Sequence, residues 1–437
     1  MSAYQTLPEV LKQGEFSPSG ETLVWLDAIH AQALEQGRKL GVPSRREESW
    51  RCTDLDFLLK TPFHAVSEPS FEALSAEFRQ TLTAYGGSLQ AVLIDGFFSQ
   101  KESRLAPLPE GTVLMGLADA IKAQPEKIRP YLEGPVPNNF FSALNAGRYR
   151  DGIFLYVPAG ICLPKPIDFV LVSTRLDQPA VCYPKLVIVA EKETAIRIRL
   201  IQAACPGSNG LVNASVDLVA GEDSEVRWIH LQKETGAAWY LTSVNAQLAA
   251  RSRLEMLSFW GGQVRGRTDV QVHLCGDEAD YSLDGVAVLG GVSQISQAIL
   301  ASHEASWGTG RQCYKNILTG KALAEFNSLV SVAAHTKGND SGQLNRNLIL
   351  SEDARAYSRP QLKIDADEVK ATHGSATGRL RDSELFYLKS RGLSPEDARR
   401  MLIRGFVQEI LTKIADDDLR RDLQNWVNEY LKVTDVG

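Results

Sequence analysis

The sequence predicts a mainly β protein: a parallel β-helix (solenoid) core with a mixed helical region before it and a helical region after it. Two observations predict this. The first is an internal repeat, in which a strand ends at a small residue, a charged turn follows, and a second strand begins. Ile188-Val-Ala-Glu-Lys-Glu-Thr-Ala-Ile-Arg-Ile198 and Leu218-Val-Ala-Gly-Glu-Asp-Ser-Glu-Val-Arg-Trp228 show it most clearly. Gln247-Leu-Ala-Ala-Arg-Ser-Arg-Leu-Glu-Met256 and His273-Leu-Cys-Gly-Asp-Glu-Ala-Asp-Tyr281 follow, with looser copies from Ile317 and Ile349. A unit of roughly 25–32 residues cannot bury its own apolar face, so neighbours must stack. The second observation is what separates the strands. Polar turns, with no helix between strands and no Trp-Asp signature, favour a β-helix over a βαβ fold or a propeller. A jelly roll is the alternative the pattern leaves open.

In chain order, 1–150 reads as a mixed helical unit, 151–380 as the β-helix core and 381–437 as a helical unit. Leu23, Leu26, Ile29, Ala33 and Leu34 recur at helical spacing, and Gly37 and Gly41-Val-Pro43 stop the run. Trp50 in the run 45–57 reads as packing. Short apolar runs between 86 and 119, such as Ala91–Ile94 and Thr112–Met115, predict a small sheet of their own. After 380, Ser383 can cap a helix to Ser390, with Gly392 as its left-handed stop. Ser394-Pro-Glu-Asp397 resembles a capping box opening a second helix, with Ala398, Met401, Leu402, Phe406 and Ile410 on one face. A third helix carries Leu419, Leu423, Trp426, Val427 and Tyr430. These helices either cap the last coil or dock a partner.

Length and composition narrow the function classes. The chain has 437 residues, 44% apolar and 23% charged, which is globular and not disordered. A net charge of −6 with no basic stripe argues against nucleic acid or an anionic membrane as main partner. The start, Met1-Ser-Ala-Tyr-Gln-Thr-Leu-Pro, has neither a signal-peptide nor a transit-peptide pattern, and no apolar run reaches membrane-spanning length. A cytoplasmic protein is expected. The six cysteines, Cys52, Cys162, Cys182, Cys205, Cys275 and Cys313, form no Cys-x-x-Cys pair and read as reduced thiols. Those in apolar contexts, Cys162 and Cys182 among them, read as buried and inert. Their spacing fits no preformed zinc or ferredoxin-type site. A cluster would need scattered ligands, or ligands shared with another chain.

One histidine stands apart. His230 and His273 sit inside strands and read as structural, and His303 and His335 read much the same. His373, in Lys370-Ala-Thr-His-Gly-Ser-Ala-Thr-Gly378, is followed by glycines and preceded by acids. If 362–373 stays extended, Asp365, Asp367, Val369, Ala371 and His373 share one face. Two carboxylates and an imidazole suit a transition-metal ion, with His373 the metal ligand. No phosphate-binding Gly-x-x-x-x-Gly-Lys loop and no Gly-x-Ser-x-Gly elbow is present, so no catalytic residue is expected in this chain.

The pattern His373-Gly-x-x-x-Gly378 followed by Leu385-Phe-Tyr-Leu-Lys-Ser-Arg-Gly392 resembles the SufD family, scaffold subunits of the SUF iron–sulfur cluster assembly machine. Gln312–Leu318, Phe326-Asn327, Gln343–Ser351 and Pro360–Val369 follow the family's order, and 45–57 resembles its amino-terminal signature, with Cys52 where a tyrosine is usual. The resemblance implies a right-handed parallel β-helix and a non-enzymatic scaffold. It implies pairing with a SufB-like subunit around Asn345, His373 and Gly374. It also implies binding of a SufC-like ABC-type ATPase through Leu385, Phe386, Tyr387, Arg391, Gly392, Met401 and Phe406, with the nucleotide chemistry in that partner. No cofactor is held permanently; a transient iron–sulfur cluster or iron is expected at the subunit interface, and a homodimer in isolation. Ala371 stands where some relatives carry cysteine, and Asn345 where the sister subunit SufB carries one, so the resemblance is to SufD and not to SufB. Two other readings remain: a β-helix polysaccharide lyase or hydrolase, and a purely architectural adaptor in which His373 only packs a turn.

Overall fold

The computed structural model describes residues 23–53, 55–67, 74–75, 78–80, 89–134, 137–233, 237–414 and 417–433. Two parallel sheets face each other across an apolar lumen, and the chain alternates between them, giving a β-solenoid of about eight turns. The first sheet stacks Gly152–Val157, Lys185–Ala190, Leu211–Ala220, Trp239–Leu248, Arg265–Leu274, Gln294–His303, Leu323–Val332 and Arg355–Ile364. The second stacks Ile167–Ser173, Ala195–Ala204, Glu225–Lys233, Arg253–Gly262, Asp280–Leu289, Thr309–Leu318, Asn339–Ile349 and Val369–Gly378. In the second sheet Ala195 faces Glu225, then Arg253, Asp280 and Thr309, so one coil takes 27 to 30 residues. In the first, Lys185 faces Ser215, then Ser243, Asp269, Ala298, Asn327 and Arg359, steps of 26 to 32. The repeat in the sequence is this coil.

The charged turn of the repeat is a stack of left-handed residues. Glu193, Asp223, Arg251, Glu278, Trp307 and Gly338 all have φ between 54° and 70°, one per coil. Each N–H donates to a carbonyl of the next coil, for example Glu193 to Glu222 at 2.8 Å and Trp307 to Lys337 at 2.9 Å. The ladder therefore continues through the corner, and buried backbone groups stay paired although five of the six residues carry a side chain.

Three apolar cores result. The lumen is filled by inward residues such as Trp228, Tyr240, Tyr281, Tyr314 and Phe326. The outer face of the first sheet is covered by Val24–Leu40, Phe140–Ala146 and the run around Trp50. Trp50 is buried, with the Arg267 guanidinium 3.8 Å from its ring centre, so its packing role holds. The helix Val24–Leu40 passes through Gly37 and ends before Gly41. The outer face of the second sheet is covered by Pro395–Leu411 and Asp417–Val433, whose Trp426 ring lies directly on Gly261.

Several expectations shift. The runs between 86 and 119 form no sheet of their own: Gln90–Ile94 pairs parallel with Ile167–Ser173, and Val113–Gly116 antiparallel with Gly152–Val157. They extend the two solenoid sheets, because each sheet's first strand offers them an unpaired edge. Ser383 lies inside the helix Asp382–Ser390, which is entered from Arg381, while Gly392 has the expected positive φ of 91°. Ser394 caps Pro395–Leu411 through Asp397 N–H at 3.1 Å. The face that this helix buries is Ala398, Ile403, Val407, Ile410 and Leu411; Met401 is exposed, and Leu402 and Phe406 are half-buried. In the last helix Leu419, Leu423, Trp426 and Val427 are buried as read, and the side chain of Tyr430 lies outside the described residues, as do Met1–Pro8.

The two ends of the solenoid differ. Beyond the first coils, the sheets finish in the short antiparallel strands Phe97–Phe98 and Val113–Gly116. At the other end they finish in Arg355–Ile364 and Val369–Gly378, full-length strands with no partner on their outer edges among the described residues. The carboxyl-terminal helices lie along the side of the solenoid and leave that end uncovered. No helix among the described residues is long and apolar enough to cross a membrane.

Candidate functional site

The open end presents His373. The run 362–373 is not one strand: Arg355–Ile364 belongs to the first sheet, the chain turns at 365–368, and Val369–Gly378 belongs to the second. Asp365-Ala-Asp-Glu368 is the charged turn of the last coil, with Ala366 packed into the lumen and the Glu368 carbonyl accepting from Gly338 N–H. Asp365 and Asp367 therefore share no strand face with His373, which corrects the extended reading; the Asp365 carboxylate is 3.6 Å from Lys363 Nζ. The repeat itself carried the signal for that turn.

Alternation from Val369, which packs against the lumen, puts His373 on the inward column of its strand. That column runs, coil by coil, Ile198, Trp228, Met256, Leu283, Gln312, Gln343, His373. Four apolar residues give way to two buried amides and an imidazole that is exposed because no coil follows it. The amides are wired together. Ser328 Oγ donates to Gln312 Oε1 at 2.6 Å, Gln343 Nε2 donates to Ser328 Oγ at 2.8 Å, and Gln312 Nε2 donates to Tyr281 Oη at 3.3 Å. A parallel column holds Asn345 beneath Ser375. Asn345 is fully buried, donates to Tyr314 O at 3.3 Å and accepts from Asn347 Nδ2 at 2.8 Å. It lies one coil beneath the edge, while Gly374 is on the edge strand and half-buried.

Of the other histidines, the four read as structural are engaged or buried. His230 is enclosed, and burial lowers its pKa to about 4, so it is neutral. His303 pairs with Ser341 Oγ at 2.7 Å, His273 with Glu304 Oε1 at 3.0 Å, and His335 with the Glu304 carbonyl at 3.0 Å. All six thiols are free. Burial pushes Cys205 and Cys313 up to about 11, which keeps both protonated and poor ligands. Cys162 is exposed, contrary to its apolar sequence context. Among the described residues, no group of three or more His, Cys, Asp or Glu side chains could hold a metal ion.

A second surface adjoins this end. The helix Asp382–Ser390 buries no side chain. Phe386 is 70% exposed, Tyr387 58% and Met401 57%, large apolar groups that a free surface rarely clusters. Leu385 is half-buried, Arg391 and Gly392 are exposed, and the Arg391 guanidinium is 5.7 Å from the Tyr387 ring centre. Phe406 is turned to internal packing: it lies half-buried against the solenoid, with Lys315 Nζ 5.5 Å from its ring centre.

Sequence reasoning missed one further assembly. Thr53 Oγ1 meets Ser296 Oγ at 3.0 Å, Ser296 donates to Glu325 Oε2 at 2.9 Å, and Arg359 Nη2 donates to Glu325 Oε1 at 2.6 Å. This buried polar line fastens the run around Trp50 to the last coils. Thr53 is 243 residues before Ser296, and Ser296, Glu325 and Arg359 stand one coil apart, so only aligned coils bring them together.

Comparison with known proteins matches this architecture. Residues 172–406 match the family model described as SUF system FeS cluster assembly, SufBD core domain, and residues 5–169 match the SufBD protein N-terminal region. An iron–sulfur cluster assembly SufBD family protein of Synechocystis is 29% identical, over 89% of this chain and 87% of that protein. The iron–sulfur cluster assembly protein SufD of Escherichia coli is 24% identical over 92% of both chains. SufD of Bacillus subtilis is 23% identical over 95% of this chain and 96% of its own. With the core domain alone matched over more than half of the chain, the chain belongs to the SufBD family, as a SufD-like subunit with a role in iron–sulfur cluster assembly.

Proposed function

We propose that the chain is a non-enzymatic scaffold that pairs end-on with a SufB-like subunit and binds a SufC-like ABC-type ATPase. The observation that supports this most is the open end: both sheets stop in ten-residue strands, Arg355–Ile364 and Val369–Gly378, whose outer edges have no partner among the described residues. Such edges are templates for strand addition and are normally shortened, charged or covered. A second solenoid placed end-on continues both ladders and covers the polar lumen mouth with His373 inside the junction. Without that partner, two copies of this chain meet through the same edges.

The ATPase docks on the exposed side of Asp382–Ser390 and the adjoining turn, through Phe386, Tyr387, Arg391, Gly392 and Met401. ATP-driven movement of the partner is passed to the solenoid through Pro395–Leu411, the helix that the second sheet holds. His373 is one ligand to iron or to the nascent cluster, which is cargo, and the remaining ligands come from the facing subunit. Asp365 and Asp367 add negative charge at the rim. The test is the iron and sulfide content of the co-expressed assembly with His373→Ala. A marked fall with the assembly intact supports the reading; unchanged content makes this chain an architectural adaptor.

A further inference from the structure

We infer that Gln343 is a positioning residue for His373: its side-chain carbonyl accepts a hydrogen bond from the imidazole and aims the other ring nitrogen at the junction. The inference rests on the reading of His373 as a ligand. Gln343 and His373 are register partners on neighbouring strands and face the same way. Same-face side chains on adjacent strands stand about 5 Å apart, within reach of an amide and an imidazole.

The amide's orientation is settled by its neighbours. Gln343 Nε2 lies 2.8 Å from Ser328 Oγ, 3.3 Å from Ser328 O and 3.4 Å from Gln361 O. Two of those three are carbonyls, which only accept, so the NH2 end must face them and Oε1 must face away. Ser328 agrees in direction, since it donates its own proton to Gln312 Oε1 at 2.6 Å. Every donor and acceptor of this line is thus used except its last one. Gln343 is 3% exposed, and its Oε1 is buried with no hydrogen-bond partner among the described residues. A buried carbonyl left unpaired at the end of an ordered line, directly beneath an imidazole, is a vacant acceptor for a ring N–H. Donating one N–H to Oε1 fixes the tautomer of neutral His373 and leaves the lone pair of the other nitrogen free for a cation, the usual support for a metal-ligating histidine. The column also explains the polarity switch: methionine or leucine serves at the same position in earlier coils, where no ligand follows.

The test uses the full chain with nitrogen-15 histidine, comparing wild type, Gln343→Met and Gln343→Glu. Methionine fits this column, since Met256 occupies it three coils earlier. The expected result is a single His373 tautomer in wild type and in Gln343→Glu, whose side chain still offers an acceptor, and a mixture in Gln343→Met. In the co-expressed assembly, iron affinity falls about tenfold or more in Gln343→Met. Identical tautomer populations in wild type and Gln343→Met would overturn the inference. Iron content that is insensitive to His373→Ala would instead overturn the ligand reading, and the tautomer measurement stands apart from it.

Discussion

Lys315 Nζ lies 2.7 Å from Glu409 Oε2, tying the helix Pro395–Leu411 to the second sheet. The ammonium is almost fully buried and also donates to the Phe406 carbonyl at 2.8 Å, while Glu409 stays largely exposed. The Lys315 hydrogen bond and charge hold the Glu409 carboxyl below its ordinary range. A depressed carboxylate stabilises the fold fully above its unfolded pKa and loses that contribution as pH falls through the folded value. Acid titration followed by Trp426 fluorescence is expected to show this helix loosening below the ordinary glutamate range. Glu409→Gln should remove that component and cost about 1 kcal/mol near neutral pH, a modest figure because solvent screens the pair.

The Trp307 ring lies over Gly338 so closely that an added Cβ would sit 2.0 Å from a ring carbon, and Gly338 has φ of 70°. Gly338→Ala is therefore expected to lose about 2–3 kcal/mol in chemical denaturation, from the left-handed backbone and the clash together. Trp307→Ala in the same chain should recover part of that loss.

Arg267 stacks on Trp50 and donates to Ser49 O at 2.7 Å from a buried position. Lysine cannot reproduce a planar stack and a fork of donors. Arg267→Lys should expose the run 45–53 to protease while the solenoid's circular dichroism is retained.

Phe386 and Tyr387 touch no core, so replacing both with serine should change stability by no more than about 0.5 kcal/mol. Co-purification of the ATPase should nevertheless fall by tenfold or more, as for anchors at the centre of an interface. A retained ATPase would move the docking surface elsewhere.

Much of this was legible in the sequence. The coil could be read because each turn repeats a small residue and charges around one left-handed position, a local signal that survives divergence. Phe386 and Tyr387 were singled out by the family motif rather than by helical periodicity, and the structure shows both exposed. The misreadings had physical causes. Asp365 and Asp367 were placed beside His373 because a corner with only one small residue resembles a continued strand. Phe406 was placed on the partner surface by the resemblance, whereas the helix buries the neighbouring face of Ile403 and Val407 and draws Phe406 partly in with it. The Gln312–Ser328–Gln343 line could not be read, since amides in strands look like surface residues until the register turns them inward.

The central claim is end-on pairing at the open edge, and the mass of the tagged protein co-expressed with a SufB-like subunit and a SufC-like ATPase tests it most directly. Light scattering should give one species containing all three proteins, and Ser375→Lys should dissolve it without unfolding the solenoid, because that exposed inward position has no coil above it. A protein that elutes free of both partners, or a Ser375→Lys assembly of unchanged mass, would contradict the account.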